Sequence, residues 1–111
     1  MRVRLIRIET LAHFAQNHAN GSIHFDRFLE SIKYAQWERA EDITRTIKGN
    51  LLGNGSDRVV FDLGGNGRNA FRVICRYKFG VTFVRLFIAW VGTHEEYNRL
   101  SLNDKLTVWK Y

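Results

Sequence analysis

Residues 58–91 decide the fold, and they read RVVFDLGGNGRNAFRVICRYKFGVTFVRLFIAWV. Three runs in this stretch, 58–63, 71–78 and 81–91, are rich in β-branched and aromatic residues, which favour strands. Glycine and asparagine separate the first two runs, and Phe79-Gly80 separates the last two, so tight turns are expected there. The stretch therefore predicts an antiparallel meander of three strands.

Alternate residues of a strand point to opposite faces of its sheet. One face of the predicted sheet is apolar and contains Val59, Phe61, Leu63, Phe71, Val73, Cys75 and Tyr77. The other face contains most of the cations of this stretch, and we predict that it is open to solvent. By the same alternation, Trp90 is predicted to share the core with Leu86 and Ile88, and Cys75 to be a buried, inert thiol.

The residues before this stretch predict a short edge strand followed by helices. Apolar residues recur at helical spacing from Leu11 to His18 and from Phe25 to Ala35, with Thr10 as a helix cap and Gly21 between the two helices. Residues 38–48 suggest a further helical turn or two, and the stretch that starts at Gly49 reads as a loop. We therefore predict one α+β domain over residues 1–111, in the order β-α-α-β-β-β, whose two N-terminal helices cover the apolar face of a small, mainly antiparallel sheet.

The charge of the chain is strongly basic. The formal net charge is +6 and the sequence pI is about 9.9. Residues 58–91 alone carry +5, mostly from arginine, whose planar fork suits phosphate. We therefore expect a polyanionic partner, with an RNA-binding set of Arg58, Arg68, Arg76, Lys78 and Arg85.

The sequence argues against membrane insertion and secretion. The longest uncharged apolar stretch, Leu86 to Val91, is far shorter than the roughly 18 residues of a membrane span. Arginines interrupt the first residues, where a signal peptide needs a continuous apolar run. We expect a cytoplasmic protein without a membrane partner.

Reactive side chains are densest in Gly-Thr-His-Glu-Glu-Tyr, residues 92–97. His94 and Tyr97 are three residues apart, so on a helical turn they lie on the same side and can serve one site. An alternative interpretation is purely structural: Thr93 caps the turn, His94 is solvated and Tyr97 is packed. Since no His, Cys or acidic cluster has ligand spacing, we predict no metal and no cofactor.

These motifs resemble the HigB-type toxins of bacterial toxin–antitoxin systems. The resemblance rests on residues 58–63, 65–66, 71–74 and 90–98, with Phe28 and the Ala-Gln-Trp of 35–37 upstream, and it spans roughly residues 1 to 100. It implies a RelE-like fold and ribosome-dependent cleavage of mRNA. It also implies neutralisation by an antitoxin of the helix-turn-helix (HigA) type.

The resemblance also assigns catalytic roles to particular residues. Arg72 matches a strand arginine that contacts the reacting phosphate, and His94 and Tyr97 match the histidine and the aromatic residue of the family. At Ala89 many members have Arg or Lys. This departure implies either a weakened toxin or an arginine, Arg85 or Arg76, that reaches in instead.

Two other functions remain open at this stage. One is a non-enzymatic toxin of the ParE kind, which inhibits DNA gyrase by protein contact. The other is a degenerate toxin that only binds RNA or an antitoxin. His94 together with Tyr97 favours the enzyme.

Overall fold

A computed structural model of the chain describes residues 1–53, 55–64 and 70–109. Arg68, one of the predicted RNA contacts, lies outside these residues. The elements in chain order are β1 (Arg2–Ile6), α1 (Ile8–Gln16), a 3₁₀ turn (Ala19–Gly21), α2 (Ser22–Lys33), α3 (Ala40–Thr44), β2 (Lys48–Leu51), β3 (Arg58–Asp62), β4 (Phe71–Phe79), β5 (Phe83–Thr93), α4 (His94–Asn98) and α5 (Leu102–Thr107).

The strands form one five-stranded sheet in the order β1-β5-β4-β3-β2. β1 runs parallel to β5, and all other neighbours are antiparallel. The predicted α+β class and the meander β3-β4-β5 are confirmed, and the fold is RelE-like. The observed order adds α3, β2, α4 and α5 to the predicted β-α-α-β-β-β.

The main core lies between the sheet and the two N-terminal helices, as predicted. Leu11 of α1 and Phe25, Phe28 and Ile32 of α2 are buried against the predicted apolar face. Gly21 is required between the helices, because a β-carbon there would lie 2.6 Å from the Phe71 ring. Cys75 is buried in this core, and burial raises the pKa of its thiol, so the prediction of an inert thiol is confirmed.

The prediction of a loop starting at Gly49 is wrong in its first part. Lys48–Leu51 forms an edge strand that pairs with β3, although Gly49 and Asn50 are poor strand formers. Pairing is possible because Gly49 lets the backbone approach the Phe61 ring, which would lie only 3.2 Å from a β-carbon. Tertiary packing therefore overrides local propensity here.

A β-bulge changes the direction of side chains in the last third of β5. Ile74 of β4 faces Trp90, whereas the next residue, Cys75, faces Ile88. Ala89 is thus an extra residue, and the alternation of side chains reverses after it. Trp90 lies on the opposite side of the sheet from Ile88, so the prediction that they share one core is wrong.

A second, smaller core covers the middle of the face that we predicted to be open. It contains Leu52, Val60, Ile74, Ala89 and Trp90, with Tyr97, Leu100, Leu106 and Val108 packed against it. Arg58 is only 5% exposed, and its guanidinium donates hydrogen bonds to the carbonyls of Lys105 and Val108. The prediction of Arg58 on an open RNA-binding face is therefore wrong, because the C-terminal segment covers it.

Ala89→Arg tests the second core. Ala89 is fully buried, so an arginine there must displace its neighbours in the second core. We expect the free energy of unfolding to fall by at least about 1–3 kcal/mol, the usual cost of overpacking, in urea titrations. Ala12→Arg, on the exposed side of α1, should stay within about 0.5 kcal/mol of the parent protein. Equal stability of the two variants would contradict the packing described.

Candidate active site

Arg72 lies at one end of the sheet, between Asp62 of β3 and Gly92 of β5. Its Nη1 atom is 2.7 Å from Oδ1 of Asp62 and also donates to the carbonyl of Phe71. The Arg72 side chain is 16% exposed. The ion pair holds the guanidinium in one position, and no described residue bonds to its Nη2 or Nε atoms. Those donors remain available to a ligand.

Gly92 is the first residue of the Gly-Thr-His motif, and its lack of a side chain is a steric requirement. A β-carbon at Gly92 would lie 2.4 Å from the indole of Trp90. The bulge turns that indole toward the Arg72 side of the sheet. Glycine therefore lets Trp90 pack over the strand next to Arg72.

Helix α4 starts directly after β5 and carries His94 and Tyr97. Thr93 caps it, because its hydroxyl accepts a hydrogen bond from the backbone N–H of Glu96 and the Glu96 carboxylate accepts one from the N–H of Thr93. The backbone N–H of His94 donates to the carbonyl of Ala70, just before β4. The structural interpretation of Thr93 as a cap is thus confirmed, and this cap fixes the start of the turn that presents both side chains.

The two ring nitrogens of His94 differ in their surroundings. Nε2 lies 3.2 Å from the amide nitrogen of Asn98, one turn along α4. Nδ1 is buried and has no hydrogen-bond partner among the described residues. Asn98 therefore orients the ring, while the second ring nitrogen, Nδ1, is enclosed by the protein.

Tyr97 is half-buried between the second core and the site. Its ring packs against Trp90 at a centroid distance of 6.2 Å, and the Lys105 ammonium lies 4.2 Å from its ring centre. Burial raises the pKa of the phenol, while the nearby Arg72 cation acts in the opposite direction. The phenol is therefore protonated at neutral pH and can donate a hydrogen bond.

The predicted RNA contacts do not form one continuous surface. Lys78 and Arg85 face each other at the far end of the sheet, about 20 Å from Arg72 by the rise of a strand. Arg76 lies between the two ends, where it pairs with Asp57 at 2.9 Å and stacks on Trp109. The structure therefore brings Arg72 together with Tyr97, but places Arg76, Lys78 and Arg85 elsewhere on the face.

Three residues of the site were missed in the sequence: Asp62, Asn98 and Lys105. The partnership of Asp62 with Arg72 depends on strand register, which composition does not reveal. Asn98 follows His94 by four residues, a helical spacing that could have indicated their contact. Lys105 reaches Tyr97 only because α5 folds back over the sheet.

No group of three potential metal ligands occurs in the described part of the chain, and none of its helices is long and apolar enough to span a membrane.

Fold and site together define a RelE-like α+β protein with an arginine, a histidine and a tyrosine at one end of its sheet. The family model of the HigB toxin, the RelE-like toxic component of a toxin–antitoxin system, matches residues 22–100. The chain belongs to this family and is a toxin, and such a system implies an antitoxin as its partner. The match is shorter than the span of 1 to 100 expected from the motifs, and it leaves out β1, α1 and α5. No curated protein matches the chain significantly.

Substitution of Thr93 tests whether its cap sets the geometry of α4. Thr93→Ala removes the acceptor for the Glu96 N–H, and we expect it to lower the free energy of unfolding by about 1 kcal/mol in chemical denaturation. Thr93→Ser keeps the hydroxyl and should retain most of this stability. If both variants lose the same amount, the hydroxyl does not cap α4.

Proposed function

We propose that this toxin is a metal-independent endoribonuclease that cleaves mRNA on the ribosome and thereby stops translation. The observation that supports the proposal is that Arg72 of β4 and helix α4, which carries His94 and Tyr97, lie at the same end of the sheet. No described residue bonds to the Nη2 or Nε atoms of Arg72, and the phenol of Tyr97 lies close enough for Arg72 to influence its pKa. His94 precedes Tyr97 by three residues on α4, which is about one helical turn.

RNA cleavage without a metal requires three functions from the protein. The 2′-oxygen of a nucleotide attacks the adjacent phosphorus, the bond from phosphorus to the 5′-oxygen breaks, and a 2′,3′-cyclic phosphate and a 5′-hydroxyl result. One group must take the 2′-proton, another must protonate the leaving oxygen, and cations must stabilise the additional charge on the phosphorane.

The described side chains suit these functions in different ways. Asp62 fixes the guanidinium of Arg72, so the donors that no described residue uses are preorganised for a phosphate. His94 is the side chain proposed to transfer a proton, and the contact of its Nε2 with Asn98 orients the ring. Tyr97 keeps its proton and can donate a hydrogen bond or stack on a base.

The proposed macromolecular partners are mRNA in the ribosome and a helix-turn-helix antitoxin of the HigA type. The basic residues Arg76, Lys78 and Arg85 are proposed to contact RNA, and Arg58 is removed from this set because it is buried. A gyrase-binding toxin of the ParE kind would not need the proton transfer that we propose for His94. It is therefore the second candidate, and the mRNA assay below separates the two.

Two assays test the activity. The first is primer extension on cellular mRNAs after the toxin is induced without an antitoxin, and the second is single-turnover cleavage on ribosomes. We expect new 5′ ends in the transcripts. Arg72→Ala should slow cleavage by about 10²–10³-fold through the loss of charge stabilisation. His94→Ala should slow it by about 10²–10⁴-fold, and His94→Gln should not restore it, because an amide cannot transfer a proton.

Arg99→Ala is the matched control for these variants, because Arg99 follows α4 but forms only an exposed ion pair with Glu95. It should cleave at the parent rate. A folded His94→Gln variant with the parent rate would exclude proton transfer by His94. Intact transcripts together with DNA damage would exclude the nuclease and support the gyrase inhibitor.

Binding of ribosomes or RNA should depend steeply on salt. Each phosphate contact contributes about 0.7 to the slope of log K against log salt for single strands, so Lys78→Gln and Arg85→Gln should each reduce the slope by about that amount. Equilibrium binding over a salt series measures it. Lys33→Gln, an exposed cation on α2, is the control and should leave the slope unchanged. A flat response of the parent protein would exclude the basic face as the RNA surface.

A further inference from the structure

A second basic site lies in a groove between α2 and β2, and Asp62, the partner of Arg72, is one of its lining residues. We call it the α2–β2 groove. Its volume is about 590 Å³, which falls within the range of about 300–1,000 Å³ typical of ligand sites. It is lined by His24, Arg27, Phe28, Ser31, Arg45, Ile47, Lys48, Asp62, Leu63 and Gly64.

Three cations from three different parts of the chain converge on this groove. Arg27 comes from α2, Arg45 from the end of α3 and Lys48 from the start of β2, and all three are exposed. None of them forms an ion pair with any described residue. Asp62, the one acidic side chain among the described residues that line the groove, is already paired with Arg72. The groove therefore carries an excess of positive charge, although the carboxylate of Asp42 lies close enough to Arg45 for their charges to interact.

The backbone of the groove wall is strained at Ile47. Its φ angle of 50° lies in the left-handed region, which is a rare and costly conformation for a β-branched residue. A hydrogen bond from the N–H of Gly49 to the carbonyl of Ile47 closes a tight turn around Lys48, directly after this residue. Strained residues of this kind concentrate at ligand sites, where the surrounding structure enforces them.

The groove ends next to the candidate active site. Gly64, at a φ of 86°, lies so close to His24 that a β-carbon would be 3.2 Å from its Nδ1 atom. The N–H of Gly64 donates to the same Asp62 oxygen that binds Arg72. One carboxylate thus joins the end of the groove to the arginine proposed to contact the scissile phosphate.

We infer that the α2–β2 groove binds the phosphates of the RNA strand that continues from the scissile bond at Arg72. This inference rests on the proposed function and extends the site by a strand-binding segment. Guanidinium and ammonium groups recognise phosphate by charge and hydrogen bonding, while Phe28 and Leu63 supply an apolar floor for a ribose or a base. RNA fits better than an acidic peptide because the groove leads to Asp62, and from there to Arg72.

Binding of uncleavable 2′-O-methyl RNA to the full-length protein tests the groove. The triple variant Arg27→Gln/Arg45→Gln/Lys48→Gln is compared with Arg2→Gln/Lys33→Gln/Arg39→Gln, which removes the same charge from exposed positions outside the groove. For a dodecanucleotide, the groove variant should lower the salt slope by about 2, as expected for the loss of about three contacts. A trinucleotide, which fills only the site at Arg72, should bind equally to both variants.

Two results would overturn the inference. The first is an equal loss in both triple variants, which would show an effect of net charge alone. The second is parent-like RNA binding by a folded groove variant, which would instead make an acidic protein segment the occupant to test. Because this RNA is not cleaved, the binding measurement does not depend on the nuclease activity. A parent protein that binds RNA through the groove but cleaves no mRNA would contradict the proposed nuclease activity and leave the groove supported.

Discussion

The β-bulge at Ala89 reverses the alternation of side chains along β5, and the site depends on that reversal. Without the extra residue, Trp90 would point into the main core with Ile88, and the other side of the sheet would lose the centre of its second core. With it, the indole covers Gly92 and packs against Tyr97. One inserted residue therefore determines which side of the sheet the Gly-Thr-His turn supports.

The second core explains why the basic face is divided. Leu106 and Val108 cover the middle of the sheet, and the guanidinium of Arg58 holds this segment through the carbonyls of Lys105 and Val108. A buried guanidinium is costly unless its donors are satisfied, so Arg58 stabilises the segment and the segment shields Arg58. As a consequence, Lys105 is positioned over the Tyr97 ring, next to the site.

Periodicity predicted the parts of the fold that follow one rule over several residues. The helix faces with Leu11 and Phe28 and the strands of the meander belong to this group. Residue type alone is less reliable for caps: it is right for Thr93 but wrong for Thr10, which lies inside α1. The bulge could not be predicted, because residues 88–91 are all apolar and fit either face. Helix α5 has a recognisable capping box, Ser101 with Asp104, which our sequence-based predictions omitted. The Arg72–Asp62 pair and the α2–β2 groove depend on contacts between distant strands and helices.

The ion pair of Arg72 with Asp62 helps to orient the guanidinium but does not help to attract RNA from a distance. A paired guanidinium is well oriented, but the carboxylate cancels most of its charge at long range, so it attracts a polyanion weakly. At the far end of the sheet, Arg85 lies opposite both Arg4 and Lys78, and no described acid forms an ion pair with any of the three. Like charges in direct register destabilise a sheet unless an anion neutralises them. The unpaired cations therefore account for the attraction of RNA that we propose, and the paired arginine accounts for the orientation of the phosphate that reacts.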